Sequence, residues 1–302
     1  MHIPDGLLSA PLWVGAAAAS AVAVGTAARR AQQELDDSRV PLLGVMGAFV
    51  FAAQMVNFPL GFGTSGHLLG SVLLGATLGL APAMVVMTAI LFVQALVFQD
   101  GGILALGANI FNMAVAGTLA GYWPWSLWGS GRLRWAALAA GGLLSVAVSG
   151  ALAVAELALS GVRIPGALAW TAAGLFLTNG VLEGLLTALI VRTLSALEPR
   201  AVRGVAASRR PAAVALGVAA IALAAGLVAV ASEAPDVLDS LVERTGIHER
   251  ARVFLATPLA GYKLAVLRDS WPAQAVAGLI GLGVIYLVAS GLARAFRGRR
   301  SE

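Results

Sequence analysis

The sequence predicts an all-α membrane protein, a polytopic helix bundle with a seven-helix core and two further transmembrane helices at the C-terminal end. Three observations support this fold class. Of the 302 residues, 59% are hydrophobic and only 12% are charged, whereas soluble domains carry about 25% charged residues. The mean hydropathy is +0.86. The hydrophobic residues also gather into runs, most of them near the roughly 20 residues that a membrane-spanning helix needs.

These hydrophobic runs follow one another along the chain and define the predicted helices. They lie at about 12–29, 41–58, 67–80, 82–98, 106–122, 135–159, 167–194, 211–231 and 273–293. The third run is short for a span, so we expect it to be tilted or partly buried by its neighbours. A tight turn at Leu80-Ala81-Pro82 is expected to separate it from the fourth run, because proline interrupts a helix.

The basic residues predict the orientation of the bundle. With the N-terminus outside, most of the 20 arginines and lysines fall on cytoplasmic segments, as is usual for membrane proteins. The arginine-rich C-terminus then also lies inside. We therefore expect a multi-pass protein of the cytoplasmic membrane, in contact with membrane lipid. The net charge of +5 is explained by these loops, and no nucleic-acid partner is expected.

A change of composition near 195–212 predicts a boundary between two domains. This stretch is basic, contains Pro199 and Pro211, and has few apolar residues. We expect it to be a cytoplasmic linker between a domain at 1–205 and a domain at 206–302. The second domain would hold two helices and an outside loop at 232–272, with an amphipathic helix near 236–256.

The first six residues, Met1-His2-Ile3-Pro4-Asp5-Gly6, are unlike a targeting segment, because they lack a basic region and an uninterrupted apolar run. A histidine at position 2 has a special chemistry. The α-amine, the His2 amide nitrogen and His2 Nδ1 can close fused chelate rings on one metal ion, in the planar arrangement that Ni(II) and Cu(II) favour. We expect Met1 to be retained, since His2 is not small. Taken alone, His2 is more simply an accident of the start.

A planar site needs a fourth ligand, and the chain offers few candidates. It has no cysteine and only three histidines. His67 follows a loop rich in glycine at 57–66, at the start of the third predicted helix, on the same outside face as the N-terminus. The alternative is an interfacial histidine whose ring is satisfied by backbone carbonyls. Two histidines on one face favour a metal site formed by Met1, His2 and His67.

Four other polar residues are candidates for orienting these ligands, namely Asn57, Ser65, Asp100 and Glu183. Ionisable groups within a span are costly and usually face a cavity or a partner, and groups that hydrogen-bond to metal ligands fix their orientation. Interhelical hydrogen bonds that hold the bundle together are an equal alternative. For Glu156, which lies close to a span end, we favour this structural role.

Three motifs resemble a known family. They are the N-terminal Met-His-Ile-Pro-Asp-Gly, the stretch Gly63-Thr64-Ser65-Gly66-His67-Leu68-Leu69-Gly70, and Asn109-Ile110-Phe111-Asn112-Met113-Ala114. Together they are similar to the CbiM/NikM substrate-binding components of the energy-coupling factor (ECF) transporters for cobalt and nickel, over about residues 1–200. The stretch 232–239 is similar to the NikN-like PDGLE module, although Val237 and Asp239 depart from the glycine and glutamate of that motif.

The resemblance implies a function and partners. It implies that Ni(II) or Co(II), as substrate, binds to the terminal amine, the His2 amide and imidazole, and His67, without an intrinsic cofactor. It also implies a CbiQ/NikQ-like transmembrane coupling subunit and a CbiO/NikO-like ATPase subunit. The chain itself contains no G-x-x-x-x-G-K-[ST] nucleotide-binding motif and no H-E-x-x-H motif, so an enzyme is not expected.

Two other functions are compatible with the residues. One is a proton-coupled secondary metal transporter that uses Glu156 and Glu183 as proton carriers. The other is a non-transporting membrane sensor or assembly protein, with the loop at 232–272 as its contact surface. Nickel and cobalt both accept the proposed ligand set, and the expectation covers either ion.

Overall fold

Helices make up most of the protein in a computed structural model that describes residues 1–34, 40–197, 210–264 and 270–298. All nine predicted apolar segments contain helix. The α-helices are α1 (Ala10–Glu34), α2 (Val40–Gln54), α3 (Ser71–Leu78), α4 (Leu80–Val93), α5 (Leu106–Asn109), α6 (Thr118–Trp128), α7 (Arg134–Leu159), α8 (Gly166–Leu197), α9 (Arg210–Ala225), α10 (Val237–Arg244) and α11 (Trp271–Gly298). Segments with π-helical hydrogen bonding extend α4 over Gln94–Phe98 and join α5 to α6 over Ile110–Gly117.

The apolar helices confirm the prediction of a helical membrane protein. Within the described residues, five helices are long and apolar enough to cross a bilayer. They are Ala10–Glu34, Leu80–Phe98, Arg134–Leu159, Gly166–Ala196 and Trp271–Leu292. The apolar helices Val40–Gln54 and Ala213–Ala225 are shorter, and Val40–Gln54 is almost wholly buried inside the bundle. The predicted count of seven plus two transmembrane helices therefore depends on helices that are shorter than these five.

The structure corrects the predicted turn before the fourth helix. The chain breaks at Gly79, whose φ of 93° is a conformation that residues with a Cβ rarely adopt. The turn predicted at Leu80–Pro82 is wrong, since α4 already begins at Leu80. Pro82 lies in the first turn of α4, where its missing N–H would have no helical partner. Helix α3 is also shorter than predicted, because Ser71 is its first residue.

A small β-hairpin, absent from the all-α prediction, replaces the expected irregular loop after α2. Strand β1 (Phe58–Gly61) pairs with the antiparallel strand β2 (Thr64–Gly66). The turn between them uses left-handed backbone at Gly61, Phe62 and Gly63. This hairpin lies just before His67. The glycines that predicted a loop serve the tight turn instead.

The C-terminal part packs against the first part of the chain. Tyr286 and Ser290 of α11 lie against Gly44 of α2, and Ile285 lies against Gly47, while α9 also packs on α2. The predicted linker lies largely outside the described residues, which omit 198–209. The amphipathic helix expected at 236–256 is shorter, since α10 ends at Arg244 and a 3₁₀ turn follows at Ile247–Arg250.

Close packing of α7 on α8 depends on glycines. A Cβ placed on Gly184 of α8 would lie 2.6 Å from the carbonyl oxygen of Ala139 in α7. A Cβ placed on Gly142 of α7 would lie 2.3 Å from the backbone nitrogen of Gly184. Small residues of this kind let two helix backbones approach in a membrane.

We expect Gly184→Ala to lower the free energy of unfolding by about 1–3 kcal/mol, because the added methyl forces α8 away from α7. Gly174→Ala is the matched control, since Gly174 lies on the same helix with open space beside it. It should be neutral or stabilising by up to about 1 kcal/mol through helix propensity. Denaturation of the purified protein in detergent measures both variants, and equal effects would contradict the packing argument.

Candidate metal centre

The N-terminal segment is buried inside the protein. Met1, His2 and Ile3 are 4%, 6% and 0% exposed. The Ile3 N–H donates to Asn109 Oδ1 at 2.8 Å, and Asn109 Nδ2 donates back to the Ile3 carbonyl at 3.1 Å. The Gly102 N–H also donates to that carbonyl, at 2.9 Å. The segment is therefore fixed to α5 and to the loop before it, in a single position.

Asp5 makes a second attachment. Its carboxylate accepts hydrogen bonds from the backbone N–H groups of Ile103, Leu104 and Ala105, at 2.8, 2.7 and 3.0 Å. These amides precede α5 and have no helical acceptors, so the carboxylate satisfies them as a cap would. The Asp5 carbonyl in turn accepts from the Arg252 N–H at 2.9 Å. Asp5 was quoted only as part of the N-terminal motif, and its structural role was not predicted.

The loop that carries His67 is held from α8. Both carboxylate oxygens of Glu183 accept backbone hydrogen bonds, from the Leu69 N–H at 2.6 Å and the Gly70 N–H at 2.8 Å. Asn179 Nδ2, one helical turn earlier, donates to the His67 carbonyl at 3.3 Å. Glu183 is fully buried. Glu183, one of the predicted residues, therefore binds the backbone that follows His67 and helps to hold this histidine in position.

The three predicted ligands lie together. The His2 and His67 rings are stacked with centroids 6.1 Å apart and planes inclined by 20°. The Met1 amine forms an ion pair with Asp236 Oδ2, and His67 Nε2 lies 3.9 Å from the same oxygen. A terminal amine and two imidazoles therefore meet at one buried place, although they come from segments more than 60 residues apart.

Burial favours the neutral form of His67, and a backbone hydrogen bond selects its tautomer. Its Nδ1 lies 3.1 Å from the Leu68 carbonyl oxygen, which accepts the Nδ1 proton and leaves the Nε2 lone pair free. Burial, together with the positive charge of the terminal amine, lowers the pKa of His67 to about 3. Burial likewise lowers the pKa of the Met1 amine, against the attraction of Asp239 and Asp100. Both shifts ease the deprotonation that a metal ligand requires.

Asp100 binds the other predicted ligand. Its Oδ1 lies 2.6 Å from His2 Nδ1, and its Oδ2 accepts from the Tyr262 hydroxyl at 2.5 Å. Desolvation alone would raise the pKa of Asp100, but the interaction with His2 and both hydrogen bonds outweigh it and hold this pKa well below its usual range. Burial and the neighbouring Asp100 raise the pKa of Tyr262 well above its usual value, so the hydroxyl remains a donor.

Two other predicted residues bind the C-terminal part of the chain. The Asn57 carbonyl accepts from the Ser232 N–H at 2.8 Å. Ser65 donates twice, from its N–H to the Pro235 carbonyl at 2.8 Å and from Oγ to the Ala234 carbonyl at 2.7 Å. Their hydrogen bonds thus hold the segment before α10 against the hairpin. Both residues thus contact the segment that leads to Asp236, and their predicted role in orienting the ligands stays a prediction.

The remaining candidates lie in different settings. Glu156 of α7 accepts from Asn112 Nδ2 at 2.7 Å and so links two helical segments. His248 is exposed on the 3₁₀ turn after α10. Among the described residues, no three His, Cys, Asp or Glu side chains are grouped to hold a metal ion. A metal ion near His2 and His67 would need further ligands, and the terminal amine and the His2 backbone nitrogen lie close by.

Asp236 and Tyr262 were not predicted as site residues. Asp236 contacts the Met1 amine, and Tyr262 contacts Asp100. Both belong to the outside loop predicted at 232–272. The only sequence signal was the PDGLE-like stretch that contains Asp236, and it indicates a module without saying which part of the chain that module contacts.

Comparison with known proteins gives two family matches. The model of the CbiM family, described as cobalt uptake substrate-specific transmembrane region, matches residues 2–201. The model of the PDGLE domain matches residues 210–298. Because the first match covers about two thirds of the chain, it shows the family, and the second match covers the segment that carries Asp236.

Individual proteins agree with these matches. A fused nickel transport protein, NikMN, of Archaeoglobus fulgidus is 31% identical over 97% of this chain and 98% of its own length. A metal transport protein of Haloquadratum walsbyi is 51% identical over 40% of this chain, a match that spans 56% of that relative. A crystal structure of a transition metal transporter is 34% identical with a TM-score of 0.56, and covers 66% of this chain and 94% of that one.

Fused relatives also include a cobalt transport protein, CbiMQ, of Methanocorpusculum labreanum. It is 39% identical over 40% of this chain, and the match spans 20% of that protein. All of these relatives are metal transport proteins rather than enzymes.

We expect Glu183→Gln to speed amide hydrogen exchange at Leu69 and Gly70 by about 10- to 100-fold. The glutamine has one acceptor oxygen where the carboxylate has two, and a hydrogen bond to a charged group contributes about 1.5–3 kcal/mol. Glu156→Gln is the control, because Glu156 bonds to Asn112 instead. Exchange measured by mass spectrometry on peptides spanning residues 67–70 should respond only to the first variant. An equal response to both variants would refute the role of Glu183 in holding the backbone at Leu69 and Gly70.

Proposed function

The chain belongs to the CbiM family of cobalt-uptake substrate-specific transmembrane regions, and we propose that it is the substrate-capture subunit of an ATP-driven ECF-type importer. Its substrate would be Ni(II) or Co(II). The observation that carries this proposal is that the His2 and His67 rings are stacked in a buried place, where the Met1 amine and His67 Nε2 both lie near Asp236 Oδ2.

The ligand set follows from the chemistry of these groups. The amine, the deprotonated His2 amide and His2 Nδ1 occupy three positions of a plane, and His67 Nε2 occupies the fourth. Four nitrogens in a plane suit Ni(II) and related ions better than Zn(II), which favours tetrahedral sites, or Mg(II), which favours oxygen. The neutral state of His67 supports its assignment as a ligand.

Loading must rearrange two contacts. The amine has to leave Asp236, and His2 Nδ1 has to leave Asp100, which requires the imidazole to turn about its Cβ–Cγ bond. His2 Nε2 is buried and has no hydrogen-bond partner within the described part of the chain. A half-turn of the ring exchanges the place of Nδ1 with that of Cδ2, and the place of Nε2 with that of Cε1. Asp100 is then placed to take part in orienting the bound imidazole, as carboxylates do at metal sites.

The chain organisation completes the proposal. We assign residues 1–205 to a metal-binding domain with seven transmembrane helices and residues 206–302 to a PDGLE module with two. The N-terminus, the β1–β2 hairpin and the loop that contains Asp236 would then share the outer face of the cytoplasmic membrane. The C-terminus would lie inside. The contacts among those three outer segments support a common face.

Transport against a gradient would need other subunits. We assign a CbiQ/NikQ-like coupling subunit, which the fused CbiMQ relative supports by its name, and a CbiO/NikO-like ATPase subunit. The ATPase would supply the nucleotide-binding motif that this sequence lacks.

Metal content tests the site. The full chain with a native N-terminus should bind about one Ni(II) or Co(II) per molecule, while His2→Ala, His67→Ala and a version extended by one N-terminal residue should bind none, because each loses one of the four in-plane nitrogens or moves the amine. His248→Ala is the matched control and should bind normally. Unchanged binding by the two histidine variants and by the extended protein would rule out this site.

Uptake tests the energy source. Cells that express the chain with its coupling and ATPase subunits should accumulate radioactive nickel or cobalt, and an ATPase variant without hydrolysis should abolish this, since no other subunit supplies the free energy. Glu156→Gln should retain uptake, because Glu156 is assigned a structural contact with Asn112.

Uptake that persists without the ATPase and stops when the proton gradient is removed would instead favour a proton-coupled transporter. Absence of accumulation with all subunits present would favour a sensor or assembly protein.

A further inference from the structure

Asp236 of the PDGLE module lies where a bound ion would touch it. Its Oδ2 contacts the Met1 amine and is 3.9 Å from His67 Nε2. In the proposed function, an ion would sit between those two nitrogens, at about 2 Å from each. The oxygen therefore already borders that position before any ion has entered.

The position of this carboxylate is fixed by the fold. Its other oxygen, Oδ1, caps α10 by accepting from the Leu238 N–H at 2.7 Å and the Asp239 N–H at 2.9 Å. The backbone on either side is bound to the hairpin, since Ser65 bridges to Asp236 in parallel β fashion. Arg244, at the end of α10, donates to the Phe62 carbonyl at 2.5 Å. Asp236 Oδ1 therefore caps α10, and Asp236 Oδ2 is directed at the Met1 amine.

Charge also favours an acidic group directly against the ion, beyond Asp100, which contacts His2. A divalent ion bound to two neutral imidazoles, a neutral amine and one deprotonated amide keeps a net charge of +1. The surrounding ligands are buried, with Met1, His2 and His67 no more than 6% exposed. An uncompensated charge in such a place is strongly unfavourable. A carboxylate against the ion makes the centre neutral.

We propose that Asp236 is a fifth, axial oxygen ligand of the bound Ni(II) or Co(II). The oxygen must be axial because nitrogens take the four in-plane positions. The PDGLE module would then supply a ligand to the metal ion, in addition to packing beside the site. This inference rests on the proposed function, since it presupposes the four-nitrogen plane.

The experiment compares Asp236→Asn with the unaltered chain. Asparagine is as good a helix cap as aspartate, so its side-chain oxygen can keep the bonds to Leu238 and Asp239 while the charge and the oxygen ligand are lost. Glu243→Gln is the matched control, because Glu243 is exposed on the same helix and the substitution makes the same change in charge. Each full-length protein, with its native N-terminus and in detergent, is loaded with nickel chloride.

Two measurements are made on each protein. X-ray absorption at the nickel K-edge distinguishes planar four-coordinate Ni(II), which shows a resolved 1s→4p feature, from five-coordinate Ni(II), which does not. Competition with a chelator gives the Kd.

We expect no planar feature in the unaltered chain or in Glu243→Gln. Asp236→Asn should still bind about one nickel, should show the planar feature, and should bind about 10- to 100-fold more weakly, the range for losing a group that supports a metal site.

Each other outcome overturns the proposal in a recognisable way. A planar feature in the unaltered chain would show that no axial oxygen is present. Five-coordinate nickel in both the unaltered chain and Asp236→Asn would assign the oxygen to another group. Failure of the unaltered chain to bind nickel, with no difference from the N-terminally extended protein, would remove the proposed function itself, and the axial ligand with it.

Discussion

The structure depends on the burial of the N-terminal amine. An ammonium group taken out of water is costly unless it is paired, and the N–H and C=O groups of the first residues also need partners. The protein supplies each of them from a different segment: Asp236 for the amine, Asn109 for the Ile3 backbone, and the loop amides before α5 for the Asp5 carboxylate. Burial of the first residues thus specifies where the ends of several helices must lie.

The loops around the N-terminal segment form one connected structure for the same reason. The hairpin binds the segment before α10 through Ser65, Asp5 binds the backbone of Arg252, and Thr257 Oγ1 donates to the Val97 carbonyl at 2.6 Å. Polar groups of irregular backbone need such partners when water is excluded. The module at the C-terminal end is therefore part of the surroundings of His2 and His67, although it begins at residue 210.

Local features of the sequence were predictable, and long-range contacts were not. The helices follow from hydrophobic runs, and the chelating capacity of the N-terminus is a property of its covalent structure. The break at Gly79 was misplaced because proline was given more weight than a glycine that can adopt positive φ. The hairpin at residues 58–66 has glycines that serve equally well in a loop. Asp236 could not be predicted, because nothing in its own segment indicates that the Met1 amine lies beside it.

The pairing of ligands with carboxylates also has an energetic consequence for a transport site. In the proposed function, loading an ion would break the contacts of the Met1 amine with Asp236 and of His2 Nδ1 with Asp100. If each contributes about 1.5–3 kcal/mol, their loss together offsets about 3–6 kcal/mol of the chelate's binding free energy. Since about 1.4 kcal/mol corresponds to a factor of ten in Kd, the proposed site would bind its ion some two to four orders of magnitude more weakly than an unhindered chelate with the same nitrogens. Axial coordination by Asp236, as proposed above, would restore part of that difference. A capture subunit needs this balance, because an ion held as tightly as by the free chelate would not be released to the cell.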